Sequence, residues 1–202
     1  MSGEPSRLLL VLVGTDHHPF HRLVTWVDEW LELQQDPPQA MVQHGTSHAP
    51  RRADGVPLTG KAELERLMAS ADVVVTHGGP ATITEVRRHG RLPLVVPRDP
   101  RLGEHVDEHQ QLFARRMDAS DFVRTCETRE DLHGCLSAGF ADPSTVTVDA
   151  DADRSRLEAS LSRFAQIVDA LVADRGSARR RRGHLTGPLK VRSQRRPRAG
   201  RR

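Results

Sequence analysis

Three short stretches of this sequence carry residues that could do chemistry together. Gly14-Thr15-Asp16 follows the apolar run Leu8–Val13. His77-Gly78-Gly79-Pro80-Ala81-Thr82 follows Val73-Val74-Val75 and opens a helical stretch. His109-Gln110-Gln111 leads into Leu112-Phe113-Ala114. Glycines let a backbone approach a phosphate closely, and the free N–H groups and dipole of a helix start attract its charge. Glu85 lies one turn further on, on the same side as Thr82 at i, i+3, where its carboxylate could accept from two vicinal ribose hydroxyls. A carboxylate there would repel a phosphate, so it suits a sugar diol beside a diphosphate. Adjacent amides such as Gln110 and Gln111 both donate and accept, as reading sugar hydroxyls requires. A Gly-Gly turn between strand and helix also has a plain structural reading, that the chain must reverse tightly there. The dinucleotide spacing G-x-G-x-x-G is absent, which argues against NAD.

The elements around these stretches can be read from periodicity. Leu8–Val13 is a continuous apolar run, as in a strand buried on both faces. Phe20–Leu33 carries apolar residues at helical spacing and stops at Asp36-Pro37-Pro38. Ala40–Gln43 reads as a second strand, and the segment from Ala49 to Gly60 gives no legible pattern. Then come a helix over Lys61–Ala69, the strand Val73–Val75, a helix over Ala81–Arg88 and the strand Leu94–Val96. A loop over Arg98–Glu104, a helix over His109–Met117, the strand Phe122-Val123 and a helix over Arg129–Ala138 follow. A last amphipathic helix spans Arg154–Ala173. Strands alternating with helices imply parallel βαβ units, hence an α/β, Rossmann-like domain with a doubly wound, mostly parallel sheet. In such a sheet ligands bind beyond the carboxyl ends of the strands, where the first two glycine-bearing loops fall.

Charge divides the 202 residues. Of the 30 Lys and Arg, 12 lie between Arg175 and Arg202 with no acid among them, leaving 18 bases against 27 acids in residues 1–174. The domain is therefore expected over 1–174 and is acidic. Residues 175–202 are expected to be a disordered basic tail, too poor in bulky apolar residues to fold. Only 3% of the residues are aromatic, so Leu, Val, Ala and Met must build the core. Cys126 and Cys135 are too few and too far apart for a disulfide scaffold or a four-cysteine zinc site, and inert buried thiols in a reducing compartment are expected. Leu8–Val13 is too short for a signal or membrane-spanning segment, so a cytoplasmic protein is expected.

The order of a Gly-rich turn, Thr82, Glu85, a strand ended by Pro97, then Asp107-Glu108-His109-Gln110-Gln111 resembles glycosyltransferase family 28, specifically its C-terminal, donor-binding domain. The resemblance runs from about Leu8 to Phe140. It is most specific over Asp72–Ala114, and Val13-Gly14-Thr15-Asp16-His17-His18-Pro19-Phe20 looks most like split enzymes of bacterial exopolysaccharide synthesis. The resemblance implies half of a GT-B fold and an inverting hexosyltransferase acting on a UDP-sugar donor, with no cofactor and no metal. It places Gly14, Thr15 and the backbone of Gly79, Ala81 and Thr82 at the diphosphate, Glu85 at the ribose, and Gln110 and Gln111 at the transferred sugar, with Gly78 and His109 also among the substrate-binding residues. Pro80 departs from the family, whose members often carry Ala or Gly there. Lacking an N–H, it leaves any phosphate bond to Ala81 or Thr82.

A whole enzyme of this fold needs about 150 residues in each of two domains, and the first strand here begins at Leu8. The acceptor half is accordingly expected from a partner. By resemblance that partner is a membrane-associated subunit that binds a lipid-linked saccharide acceptor. The basic tail could meet an anionic membrane surface or merely solubilise. With no aromatic residue interleaved, and an acidic body, nucleic acid is an unfavourable partner. His17 and His18 are candidates for a general base, although in the resembled enzymes the base lies in the acceptor half. His105/His109 and His17/His21 have the i, i+4 spacing of zinc ligands, but Pro19 interrupts the second pair and neither shows a third ligand. Two other readings are a UDP-sugar epimerase-like enzyme, which shares the fold, and a non-catalytic regulatory subunit retaining the nucleotide-sugar pocket.

Overall fold

In the computed structural model, which describes residues 7–152 and 154–155, strands and helices alternate along the chain. The strands are β1 (Leu8–Leu12), β2 (Gln39–Gln43), β3 (Asp54–Val56), β4 (Val73–Thr76), β5 (Leu94–Val95) and β6 (Arg124–Thr125). The helices are α1 (His21–Leu33), α2 (Lys61–Ser70), α3 (Pro80–Arg88), α4 (His109–Asp118) and α5 (Arg129–Ala141), with 3₁₀ turns at Pro100–Leu102 and Pro143–Val146. All six strands join one sheet in the order β3-β2-β1-β4-β5-β6. Every pairing between them is parallel.

The alternation of side chains along the strands explains why the sheet is covered on both sides. Leu9, Val11, Val73, Val75 and Leu94 face one way and pack with Leu23, Val24 and Val27 of α1 and Leu132 and Leu136 of α5. Leu10, Leu12 and Val74 face the other way and meet Leu67 and Met68 of α2 and Val86 of α3. Further along that second face, Val95 and Val123 pack with Ile83 of α3 and Ala114 of α4. The sheet is doubly wound, as expected. Local signals set the helix starts: Pro80 is the first residue of α3, and Thr128 with Asp131 forms a capping box on α5.

Two departures from the sequence reading concern the edges of the sheet. The last strand is not Phe122-Val123 but Arg124–Thr125. Cys126 N–H donates to Val95 O at 2.7 Å and Arg124 N–H to Pro93 O at 3.0 Å, while Phe122 and Val123 fill the space beneath α3 and α4. The illegible stretch contains β3, and side chains distant in sequence hold it. Buried Asp28 of α1 accepts from the N–H groups of Arg51 and Arg52, at 3.0 and 2.9 Å, and Ser47 Oγ accepts from Phe20 N–H at 2.7 Å.

Both cysteines are free thiols. A hydrogen bond with Cys135 together with burial pushes Cys126 up, and the same hydrogen bond lowers the half-buried Cys135 to about 7. No helix among the described residues is long and apolar enough to cross a membrane. The boundary expected at 174/175, the basic tail and nearly all of the helix expected over Arg154–Ala173 lie outside the described residues.

Candidate functional site

The strand order reverses between β1 and β4, so the loops leaving these strands diverge to opposite faces and open a crevice at their carboxyl ends. Gly14 and Gly78, which lie in these loops, have φ of +89° and +94°, conformations that favour glycine. The His77 ring fills the space between the loops. A Cβ on Gly14 would lie 2.6 Å from that ring, and one on Gly79 would lie 2.7 Å from it. Gly14 is therefore required by the histidine packed against it. Its N–H is also committed, donating to Gln43 Oε1 at 3.1 Å, while Gln43 Nε2 donates to Gly14 O and Pro57 O at 3.0 and 2.9 Å. A ligand reaching this loop meets Thr15, which is exposed at the rim.

The start of α3 offers the backbone donors the sequence suggested. Gly79 is the N-cap, no side chain caps the helix, and the first amide bonded within it is Ile83 N–H to Gly79 O at 3.0 Å. The amides of Ala81 and Thr82 precede that bond and, with the missing N–H of Pro80, are the donors left at the helix mouth. Glu85 is half-buried on α3 and takes Arg88 as partner, Oε2 to Nη1 at 3.0 Å. Because α3 and α4 pack on the same face around Ile83, Val95 and Ala114, their starts lie along one edge. There Gln110 holds a buried Oε1 with no hydrogen-bond partner. A buried acceptor left open at the first turn of a helix is costly unless something outside the chain fills it. His109 is exposed beside it and Gln111 is half-buried.

Arg98, which the sequence reading passed over as a loop residue, is the largest fully buried side chain. Its Nη1 donates to His18 O at 2.7 Å and Glu104 O at 2.9 Å, and its Nη2 donates to Val13 O at 2.9 Å. The guanidinium also stands 4.9 Å from the centre of the Phe20 ring. Burial lowers its pKa from the ordinary arginine value, and the Asp16 and Glu104 charges oppose that. Glu104 is itself gripped by Arg22 through two hydrogen bonds of 2.9 and 2.7 Å. One cation thus ties the loops after β1 and β5 together across the mouth of the crevice. An arginine beside a proline gives no sequence signal of this, because all its acceptors are backbone carbonyls.

That tie brings the loop histidines together in a way their sequence spacing did not suggest. His17 and His21 part company, since His21 starts α1 and stacks on His48 with ring centres 5.0 Å apart. Asp16 instead accepts from both the backbone N–H and the ring Nδ1 of His18, at 2.8 and 2.7 Å. Asp107 does the same for the N–H and ring of His109. Burial alone would raise the Asp16 carboxyl, but the two His18 hydrogen bonds and the Arg98 charge hold it at about 2.

His77 makes the pH dependence of this site testable. Burial lowers its pKa from 6.5 to about 4, and the nearby Arg98 charge adds to that shift. The unfolded chain binds the proton near 6.5 and the folded one only near 4, so in between the unfolded state holds more protons. Stability is therefore full above pH 6.5 and falls on acidification, by about 2 kcal/mol between pH 7.5 and 5. Asp16 and Asp99, both held near 2, contribute only at lower pH. Urea unfolding at the two pH values should show this loss in the wild type and a smaller one in His77→Gln. Equal losses in the two proteins would mean the imidazole is not the group responsible.

A doubly wound parallel sheet of this order, with a glycine-bearing strand-to-helix turn at its switch point, defines a Rossmann-like ligand-binding domain. The chain belongs to the glycosyltransferase family 28 C-terminal domain family, whose model matches residues 8–170. It is 32% identical, over 111 residues, to the UDP-N-acetylglucosamine–N-acetylmuramyl-(pentapeptide) pyrophosphoryl-undecaprenol N-acetylglucosamine transferase of Methylobacterium radiotolerans. That match takes in 52% of this chain and 29% of the transferase, so the chain spans under a third of its relative. Among solved structures it is similar to the glycotransferase of kitacinnamycin, with a TM-score of 0.53 and 19% identity over 69% of this chain and 36% of that one. It is also similar to CalG4, the calicheamicin glycosyltransferase, with a TM-score of 0.54 and 14% identity over 85% and 46%. The fold is that of the C-terminal half of a GT-B glycosyltransferase.

Proposed function

We propose that this domain binds a UDP-sugar and donates its sugar to a lipid-linked acceptor held by a membrane-associated partner. The observation that carries the reading is Gln110, whose buried, partnerless Oε1 stands at the start of α4 beside the mouth of α3. A sugar hydroxyl donating to it would satisfy the open acceptor. The named activity of the Methylobacterium radiotolerans relative, transfer of N-acetylglucosamine from its UDP form to a pyrophosphoryl-undecaprenol acceptor, supports the donor and acceptor classes.

In this mechanism the acceptor hydroxyl attacks the anomeric carbon from the side opposite the diphosphate. The bond from that carbon to the diphosphate oxygen breaks, UDP leaves, and the configuration inverts. The Ala81 and Thr82 amides, with the positive end of α3, stabilise the charge that grows on the leaving diphosphate. Glu85 turns from Arg88 to the ribose diol. The proton acceptor is assigned to the partner half, as the family resemblance implies.

Calorimetry on the purified chain tests this reading. UDP should bind, and Glu85→Ala should weaken it about ten- to a hundredfold, the equivalent of roughly 1.5–3 kcal/mol for hydrogen bonds to a charged group. Gln110→Ala should leave UDP affinity within about threefold and weaken a UDP-sugar at least about tenfold. Absence of UDP binding would overturn the donor assignment. An equal loss of UDP and UDP-sugar in Gln110→Ala would place that side chain away from the sugar.

A further inference from the structure

The histidines and carboxylates over the crevice form a cluster to which the proposed transfer steps give no role, although the family resemblance counts His109 among the substrate-binding residues. Asp16, His17 and His18 bring one ligand atom each to within 4.8 Å of one another, and so do His105, Asp107 and His109. The two groups adjoin at His105, whose side chain is only 11% exposed. Its Nε2 is 3.7 Å from Asp16 Oδ2, and its Nδ1 is 3.6 Å from Asp107 Oδ1. We propose that His18, His105 and His109, backed by Asp16 and Asp107, bind a transition-metal dication of the zinc, cobalt or nickel type.

The tautomers point the right way. A carboxylate ionised near pH 7 can only accept, so the Nδ1 atoms that face Asp16 and Asp107 carry protons, and the Nε2 lone pairs of His18 and His109 remain as donors. This is the arrangement of metal-ligating histidines, whose second nitrogen is usually fixed by a carboxylate. His105 Nδ1 accepts from the Asp107 N–H at 3.4 Å and its Nε2 faces Asp16 Oδ2 at 3.7 Å, so Nδ1 carries the lone pair and must leave that amide to reach the ion. Spacing agrees as well. With metal–nitrogen bonds near 2.0–2.1 Å, two imidazoles on one ion have ring centres about 5 Å apart. His105 and His109 stand at 4.7 Å and are in place, whereas His18 stands 6.1 Å from His105, so the loop after β1 must move inward for His18 to join them. His17 and His18, at 3.9 Å, are too close to share an ion, which leaves His17 out. Three imidazoles with carboxylate support select metals that prefer nitrogen over the hard cations magnesium and calcium. Sequence spacing offered only pairs of histidines. The third ligand comes from the loop after β1, delivered across the crevice by Arg98.

The test is titration of tag-free, chelator-treated chain with Co²⁺, read by its visible absorption, and with Zn²⁺ in competition. One equivalent of Co²⁺ should bind, and Zn²⁺ should displace it. His105→Ala and His109→Ala should each weaken binding at least tenfold, and Asp107→Asn about ten- to a hundredfold. His109 is exposed, so its replacement carries little risk to folding. His21→Ala should bind like the wild type, because the stacked His21 and His48 rings, tilted only 3° to one another, cannot converge on an ion. Wild-type binding no tighter than that of His109→Ala, or an equal loss in His21→Ala, would overturn the site.

Discussion

Replacing Arg98 with leucine should destabilise the domain by about 3–5 kcal/mol, as expected when one partner of a buried ionic network is removed. The leucine would fill much of the volume and recover some apolar burial against Phe20. It would also strip the carbonyls of Val13, His18 and Glu104 of their donor and take a cation from beside Asp16 and Glu104. An unsatisfied buried acceptor costs about 1–3 kcal/mol, so the polar loss outweighs the hydrophobic gain. Domains of this kind are stable by about 5–15 kcal/mol in all. The variant should therefore unfold at a much lower urea concentration with the slope of the transition unchanged. Arg98→Lys should lie between the two proteins, since an ammonium keeps the charge but loses the planar fork. A loss below about 1 kcal/mol in Arg98→Leu would show that water replaces the guanidinium freely.

Transfer to a polyprenyl diphosphate-linked acceptor by the 202-residue chain alone should be undetectable, and should rise at least about a thousandfold when an acceptor-binding chain is added. Positioning both reactants in attack geometry is worth roughly 7–11 kcal/mol when fully developed. On the proposed reading, Ala81, Thr82, Glu85 and Gln110 hold the donor alone. Holding one reactant and leaving the other to diffuse forfeits most of that term. The assay follows radiolabelled sugar into the lipid fraction in detergent, at high enzyme concentration, with and without the second chain. Robust turnover by this chain alone would overturn the need for a partner and require an acceptor site on the same body.

Much of the fold was legible because it is written in short-range pattern. Apolar runs marked β1, β2 and β4, helical spacing marked α1 through α5, and their alternation dictated a parallel, doubly wound sheet. The candidate donor-side residues were named from signals of the same short range. Glycine turns, helix starts and a pair of amides each signal within a few residues, and the family resemblance rested on their order. At β6 packing and pairing diverge, and apolar character located the packed residues Phe122 and Val123. It did not locate the ladder, which hydrogen bonds of Arg124 and Cys126 to a neighbouring strand decide.

What only the tertiary structure decided is everything that depends on partners far apart in the chain. Asp28 and Ser47 order the stretch before β3, and Gln43 takes the Gly14 amide that the sequence had assigned to phosphate. His77 is neutral near pH 7 because burial removes the water that would solvate its charge. Arg98 is a core residue because three carbonyls from two loops converge on it. The histidines gather through the same convergence. Local sequence fixes which backbone conformations are cheap, whereas desolvation and charge pairing act between residues that only the folded chain brings into reach.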